Sequence, residues 1–141
     1  NNSLFGCLID LILYMKFYIA ARFGLKNEVR KMYALLKERG YEIVYDWTEE
    51  NLIKPYSENE KITMEIAIKS LKASESCDVF VLISDSAGTD MYGELCSAIT
   101  SKKPKIYVIG DFLDRSKFFF HPRVKRMKSI DDIFQDLELT Q

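Results

Sequence analysis

The sequence holds too few metal-binding side chains for a common zinc site. Its 141 residues include one histidine, His121, and three cysteines, Cys7, Cys77 and Cys96, far apart and without a CxxC pair. A structural zinc centre lacks ligands, and an odd, scattered cysteine set gives no disulfide framework, so a reducing cytoplasm is the simplest location. There is no excess of one charge either: 20 Lys+Arg against 21 Asp+Glu give a formal net charge of -1. No global field draws such a chain to a phosphate backbone or an anionic membrane, so neither a nucleic-acid polymer nor a membrane is an expected partner. Two nucleotide signatures are missing as well. No GxGxxG follows the first strand pattern and no GxxxxGK[ST] occurs anywhere, which disfavours NAD bound by the Rossmann route and ATP bound by a P-loop. Repeats and low-complexity tracts are absent. The apolar run Leu4 to Tyr14 has no basic segment before it, carries Asp10, and is too short to span a bilayer. Residues 1–14 read as an extension, either packed on a neighbouring subunit or foreign to the natural chain, ahead of a domain at 15–141.

What is present is the composition of one compact domain, 48% hydrophobic and 29% charged. Lys16 to Ala20 is a β-prone run; Leu25, Val29, Met32 and Leu36 then recur at helical spacing until Gly40 supplies a stop. Tyr41 to Trp47 reads as a second strand, followed by a long polar connection, Thr48 to Asn59, in which Pro55 forbids regular structure. Lys61 to Ser76 has Met64, Ile68 and Leu71 on one helical face. Val79 to Ile83 is a continuous apolar run, as expected of a central strand buried on both faces. A helix over about Asp90 to Ser101, a strand from Lys105 to Ile109, a weak strand near Val124 to Met127 and a last amphipathic helix from Ser129 complete the pattern. Alternation at this spacing predicts an α/β fold: a single doubly wound, flavodoxin-like, mostly parallel sheet of about five strands flanked by helices.

Ligands of such sheets bind beyond the carboxyl ends of the strands, which directs attention to the loops after each strand. The most informative is Asp85-Ser86-Ala87-Gly88-Thr89, which leads into a helix carrying Asp90 and Glu94. Small residues before a helix N-terminus make an anion cradle from backbone N–H groups. A carboxylate one turn into that helix either faces the pocket, as a reactive group, or sits on the surface and stabilises the helix start.

The stretches VFVLISDSAGTDMYGELCSAI (Val79 to Ile99), KFYIAARFGLKNEV (Lys16 to Val29), KPKIYVIGD (Lys103 to Asp111) and FFFHPRVKRMKSIDDIF (Phe118 to Phe134) together resemble the nucleoside 2-deoxyribosyltransferase family. The likeness spans Met15 to Leu139, and its most specific element is Gly88-Thr89-x-x-x-x-Glu94-Leu95 after a buried strand. It implies that Glu94 is a nucleophile which attacks the anomeric carbon of a 2-deoxyribonucleoside, expels the base and forms a deoxyribosyl-enzyme. A second base takes the sugar in the transferases; water takes it in the related 2-deoxynucleoside 5-monophosphate N-glycosidases. A nearby carboxylate stabilises and then traps an oxocarbenium-like transition state, as in retaining glycoside hydrolysis. No metal or organic cofactor is implied.

The chain departs from the family where an aspartate is expected on the preceding helix, at Ser70, and at Gly88, where some transferases carry one; Cys96 replaces a common glycine. Asp46, Asp85 and Asp90 are the available substitutes for orienting the sugar or protonating the base, or else they fill turn and capping roles. Tyr18, Arg22 and Gly24 form the other half of the expected cleft. Arg22 either takes a 5-phosphate bidentately or pairs with a surface acid such as Glu28. Tyr18 and Trp47 stack on a base or belong to the core, and Ser86 bonds a phosphate or hydroxyl or only its own backbone. His121 either touches substrate, across a subunit boundary, or lies exposed in its loop. The apolar Phe118-Phe119-Phe120 and the resemblance both imply a homodimer or larger homo-oligomer, while the basic run Arg123 to Lys128 reads as a charged edge strand. Two rivals remain: a TIR-like NAD glycohydrolase, and a nucleotide-binding module without turnover.

Overall fold

A computed structural model describes residues 15–140; the expected extension at 1–14 lies outside them. Five parallel strands, β1 (Lys16–Ala20), β2 (Glu42–Ile43), β3 (Val79–Ile83), β4 (Lys105–Ile109) and β5 (Val124–Met127), form one sheet in the order β2-β1-β3-β4-β5. Helices α1 (Lys26–Glu38), α2 (Glu60–Ser76), α3 (Asp90–Ser101) and α4 (Ile130–Leu139) connect and flank the strands. This is the flavodoxin-like arrangement that the alternating pattern predicts.

Burial explains why each strand took its place. All five residues of β3 are buried, as are four of the five in β1 and in β4, so these three form the centre and need apolar side chains on both faces. In β5 the middle residues Lys125 and Arg126 are exposed, which gives the edge a charged guard. Strand β2 is shorter than the expected Tyr41 to Trp47. After a last sheet bond from the Val44 N–H to the Phe17 carbonyl, 3.0 Å, the Asp46 carboxylate accepts from the Thr48 N–H at 3.0 Å and turns the chain into a 3-10 turn at Trp47–Glu49. A second 3-10 turn, Tyr56–Glu58, directly follows Pro55. The long connection is thus more ordered than its proline suggests, because proline suits the position just before such a turn.

Helix α4 buries Ile130, Ile133, Phe134 and Leu137 and begins with a reciprocal capping box between Ser129 and Asp132. It meets the end of α1 on one face of the sheet, where Tyr41 stacks on Phe134 and the Arg39 guanidinium lies 3.9 Å from that ring's centre. Helices α2 and α3 pack against each other, on the opposite face that right-handed crossovers require. The apolar face expected of α2 is not turned to the core: Met64, Ile68 and Leu71 are exposed, and only Ala73 and Ser74 of this helix are buried. No helix among the described residues is long and apolar enough to cross a membrane. The chain leaves β1 toward β2 and returns to β3 on the other side, so the strand order reverses between β1 and β3. That reversal opens a crevice between the loops after them.

Candidate active site

A cavity of about 480 Å³ occupies this crevice. Its floor is set by β1 and α3. Tyr18 belongs to the fully buried row of β1, yet its hydroxyl reaches the cavity and donates a hydrogen bond to Glu94 Oε1. Glu94 lies one turn into α3, whose other side is anchored in the core by Met91, Leu95 and Ala98. This anchoring fixes which way the carboxylate faces. Burial pushes the Glu94 carboxyl up to about 7, the Tyr18 hydrogen bond pulls it back, and the Asp90 charge adds to the rise. Burial first, and then the Glu94 charge, hold the Tyr18 phenol well above its usual range, so it remains a donor throughout the physiological range. Ser70, on α2, lines the cavity beside this pair.

The loop after β1 supplies Arg22 and Gly24; the loop after β3 supplies Gly88 and Thr89. Arg22 Nε donates to Asp85 Oδ2 at 2.7 Å, so the partner of Arg22 is Asp85 rather than the Glu28 considered above. Hydrogen bonding from Arg22 holds the Asp85 carboxyl below its ordinary range. Two glycines make room for the arginine. A Cβ at Gly24 would meet the guanidinium carbon at 2.7 Å, and one at Gly88, where φ is +95°, would meet Arg22 Cβ at 3.1 Å.

The roof comes from the long connection. Leu52, Lys54 and Tyr56 line the cavity, and the Tyr56 hydroxyl donates to Asp90 Oδ2 at 2.8 Å across the opening. That bond raises the Tyr56 phenol to about 12. Trp47 is a wall of the cavity and part of the core at once, its Nε1 donating to the Ile19 carbonyl at 2.7 Å.

Of the residues singled out from the sequence, Tyr18, Arg22, Gly24, Trp47, Gly88, Thr89, Asp90 and Glu94 come together around this cavity. Four do not line it. Asp46 is used as the cap that turns the chain after β2. Asp85 stands behind Arg22, and Ser86 gives its N–H to Asp85 at 2.6 Å while its carbonyl accepts from Arg115 at 2.7 Å. His121 follows the turn Lys117–Phe120, and its Nδ1 accepts from the Arg123 N–H at 3.1 Å, a local loop role. The contribution of Tyr56 was not visible in the sequence beyond its place in a long loop. Lys54 and Leu52 share that loop, and no spacing rule connects any of them to α3.

No family model matches the chain, and none of the curated proteins does. Among solved structures, a CMP N-glycosidase of Clostridium botulinum, BcmB, is similar over 88% of this chain and 98% of its own, with a TM-score of 0.52 and 18% sequence identity. At that identity the likeness is one of fold.

Proposed function

We propose that this cavity cleaves the N-glycosidic bond of 2-deoxyribonucleosides or their 5-monophosphates through Glu94, passing the sugar to a second nucleobase. The observation that carries the reading is the Tyr18 to Glu94 hydrogen bond at the base of a concave site. A carboxylate that must attack an anomeric carbon needs a fixed direction, and a buried phenol that cannot ionise supplies it. In the chemical step a Glu94 oxygen bonds to C1 of the sugar, the bond from C1 to the base nitrogen breaks, and its electron pair leaves with the base. The base takes up a proton. Asp90, four residues before Glu94 on the same helix and bonded to Tyr56, is a further carboxyl of the cavity; in its acid form it gives that proton to the base and ends as the carboxylate. Asp85 lies behind Arg22 and is held ionised by it, which suits it less to proton transfer.

Water in place of the second base makes the same site a hydrolase of 2-deoxynucleoside 5-monophosphates. Two observations favour this second reading: the fold neighbour is a nucleotide N-glycosidase, and Arg22 offers a cation between two glycines. A homodimer is the assembly we infer, on the exposed seam Met64, Ala67, Ile68 and Leu71 of α2, whose i, i+3, i+4, i+7 spacing suits a second copy of the helix.

The test is a chromatographic assay of the purified protein with each 2-deoxynucleoside and each 5-monophosphate, with and without a free acceptor base, beside Glu94→Ala. Base exchange identifies a transferase and release without exchange a hydrolase. Full activity in Glu94→Ala would discard the mechanism.

A further inference from the structure

The pairing behind the cavity assigns a role that neither the fold nor the loop spacing gives. We infer that Asp85 is a positioning residue for 5-phosphate recognition: it pins Arg22 by Nε so that the two terminal guanidinium nitrogens are left to take a phosphate. The inference rests on the glycosidic reading above and deepens it by naming what orients the group that binds the 5-phosphate.

Three features carry it. First, the ion pair is made end-on, through Nε alone at 2.7 Å, and among the described residues neither terminal nitrogen of Arg22 has a hydrogen-bond partner. A guanidinium offers a fork of N–H groups that matches two phosphate oxygens, and a carboxylate on Nε leaves that fork free. Second, Asp85 is itself fixed. Its Oδ1 accepts from the Ser86 N–H at 2.6 Å, the Ser86 carbonyl accepts from Arg115, and its side chain is only 12% exposed. The Arg22 side chain, 40% exposed, has the freedom that such a partner removes. Third, Gly24 and Gly88 give the arginine its place: a Cβ at Gly24 would overlap the guanidinium and one at Gly88 would meet Arg22 Cβ and Cγ, so the side chain lies along the backbone of both glycines in one direction.

The experiment compares wild type, Asp85→Ala, Asp85→Asn, Arg22→Ala and the double variant Arg22→Ala/Asp85→Ala. Steady-state kinetics are run with a 2-deoxynucleoside 5-monophosphate and with the matching nucleoside. Expected is a rise of about tenfold in the monophosphate KM for Asp85→Ala, with kcat and the nucleoside KM unchanged. Asp85→Asn keeps an acceptor for Nε and restores most of the loss, and the double variant is no worse than Arg22→Ala alone. A lower monophosphate KM in Asp85→Ala would overturn the inference, because Asp85 would then be competing with the phosphate. Equal losses on both substrates, or additive losses in the double variant, would also overturn it. Calorimetric binding of deoxyribose 5-phosphate, which needs no turnover, gives the same comparison if the glycosidic chemistry fails. Wild-type protein that does not bind this probe would end the inference, whatever the assay of catalysis shows.

Discussion

Glu94→Gln should destroy activity and, at the same time, stabilise the fold at alkaline pH. Burial raises the Glu94 carboxyl from an ordinary 4.5 to about 7, so between those values the folded chain binds a proton that the unfolded chain has released. Stability contributed by the protonated form is complete below about 4.5 and is lost as pH rises through 7. The gap corresponds to up to about 3 kcal/mol, at roughly 1.4 kcal/mol for each tenfold in proton affinity. Glutamine keeps the shape and an oxygen to accept from Tyr18, but has no charge to bury. The variant should therefore gain about 2 to 3 kcal/mol over wild type on going from pH 5 to pH 8, or roughly 5–10 °C in Tm for a domain of this size. Thermal unfolding of both proteins at the two pH values, followed by circular dichroism, reads the difference directly. On the proposed mechanism the glycosidic assay of the same samples should show a loss of at least about a thousandfold, since an uncharged amide replaces the nucleophilic carboxylate. A stability difference that does not change between pH 5 and pH 8 would refute the claim that Glu94 is buried at a cost.

Tyr18→Phe removes the donor that favours ionised Glu94, so the alkaline rise of activity should shift above about 7 and kcat should fall about ten- to hundredfold; an unmoved pH profile would count against the pairing. Gly24→Ala places a methyl against the Arg22 guanidinium, and the monophosphate KM should rise about tenfold while the nucleoside KM stays within about twofold. Ile68→Glu, on the exposed seam of α2, should turn a dimer into a monomer in light scattering, with little change in Tm beyond that caused by dissociation.

Patterns that repeat along the chain were legible in the sequence; those that depend on distant partners were not. Continuous apolar runs located β1, β3 and β4, and helical spacing located α1 and α4, because burial on both sheet faces or on one helix stripe leaves a local record. The loops after β1 and β3 followed from topology, but topology left Arg22, Gly88 and Glu94 with turn, surface and helix-start alternatives; the family resemblance is what singled them out. The alternation of Tyr41 to Trp47 extends β2 too far, because the Asp46 cap that ends the strand is one side chain accepting from the N–H and hydroxyl of Thr48. The Met64, Ile68 and Leu71 periodicity of α2 was real but faces away from the core. Spacing reports that a helix has an apolar face; it does not report what that face meets. Asp85 and Tyr56 acquire their roles from contacts 63 and 34 residues away in sequence, a range at which no local pattern operates.

The charges around the cavity carry the remaining argument about chemistry. Glu50, Asp90 and Glu94 line it against Arg22 and Lys54, so the site is acidic when Glu94 is ionised and balanced when it is protonated. An acidic site suits a reaction whose transition state gathers positive charge on the sugar, but it opposes an anionic substrate. The conflict is eased if a phosphate arrives while Glu94 is protonated and the proton leaves before attack. A carboxyl that titrates near 7 lies where both states are populated. Tyr18 then has two effects on one residue: its hydrogen bond aims the carboxylate, and it limits how far burial can raise the carboxyl. Without that limit burial would push Glu94 further toward the neutral acid, which lacks the nucleophilic carboxylate.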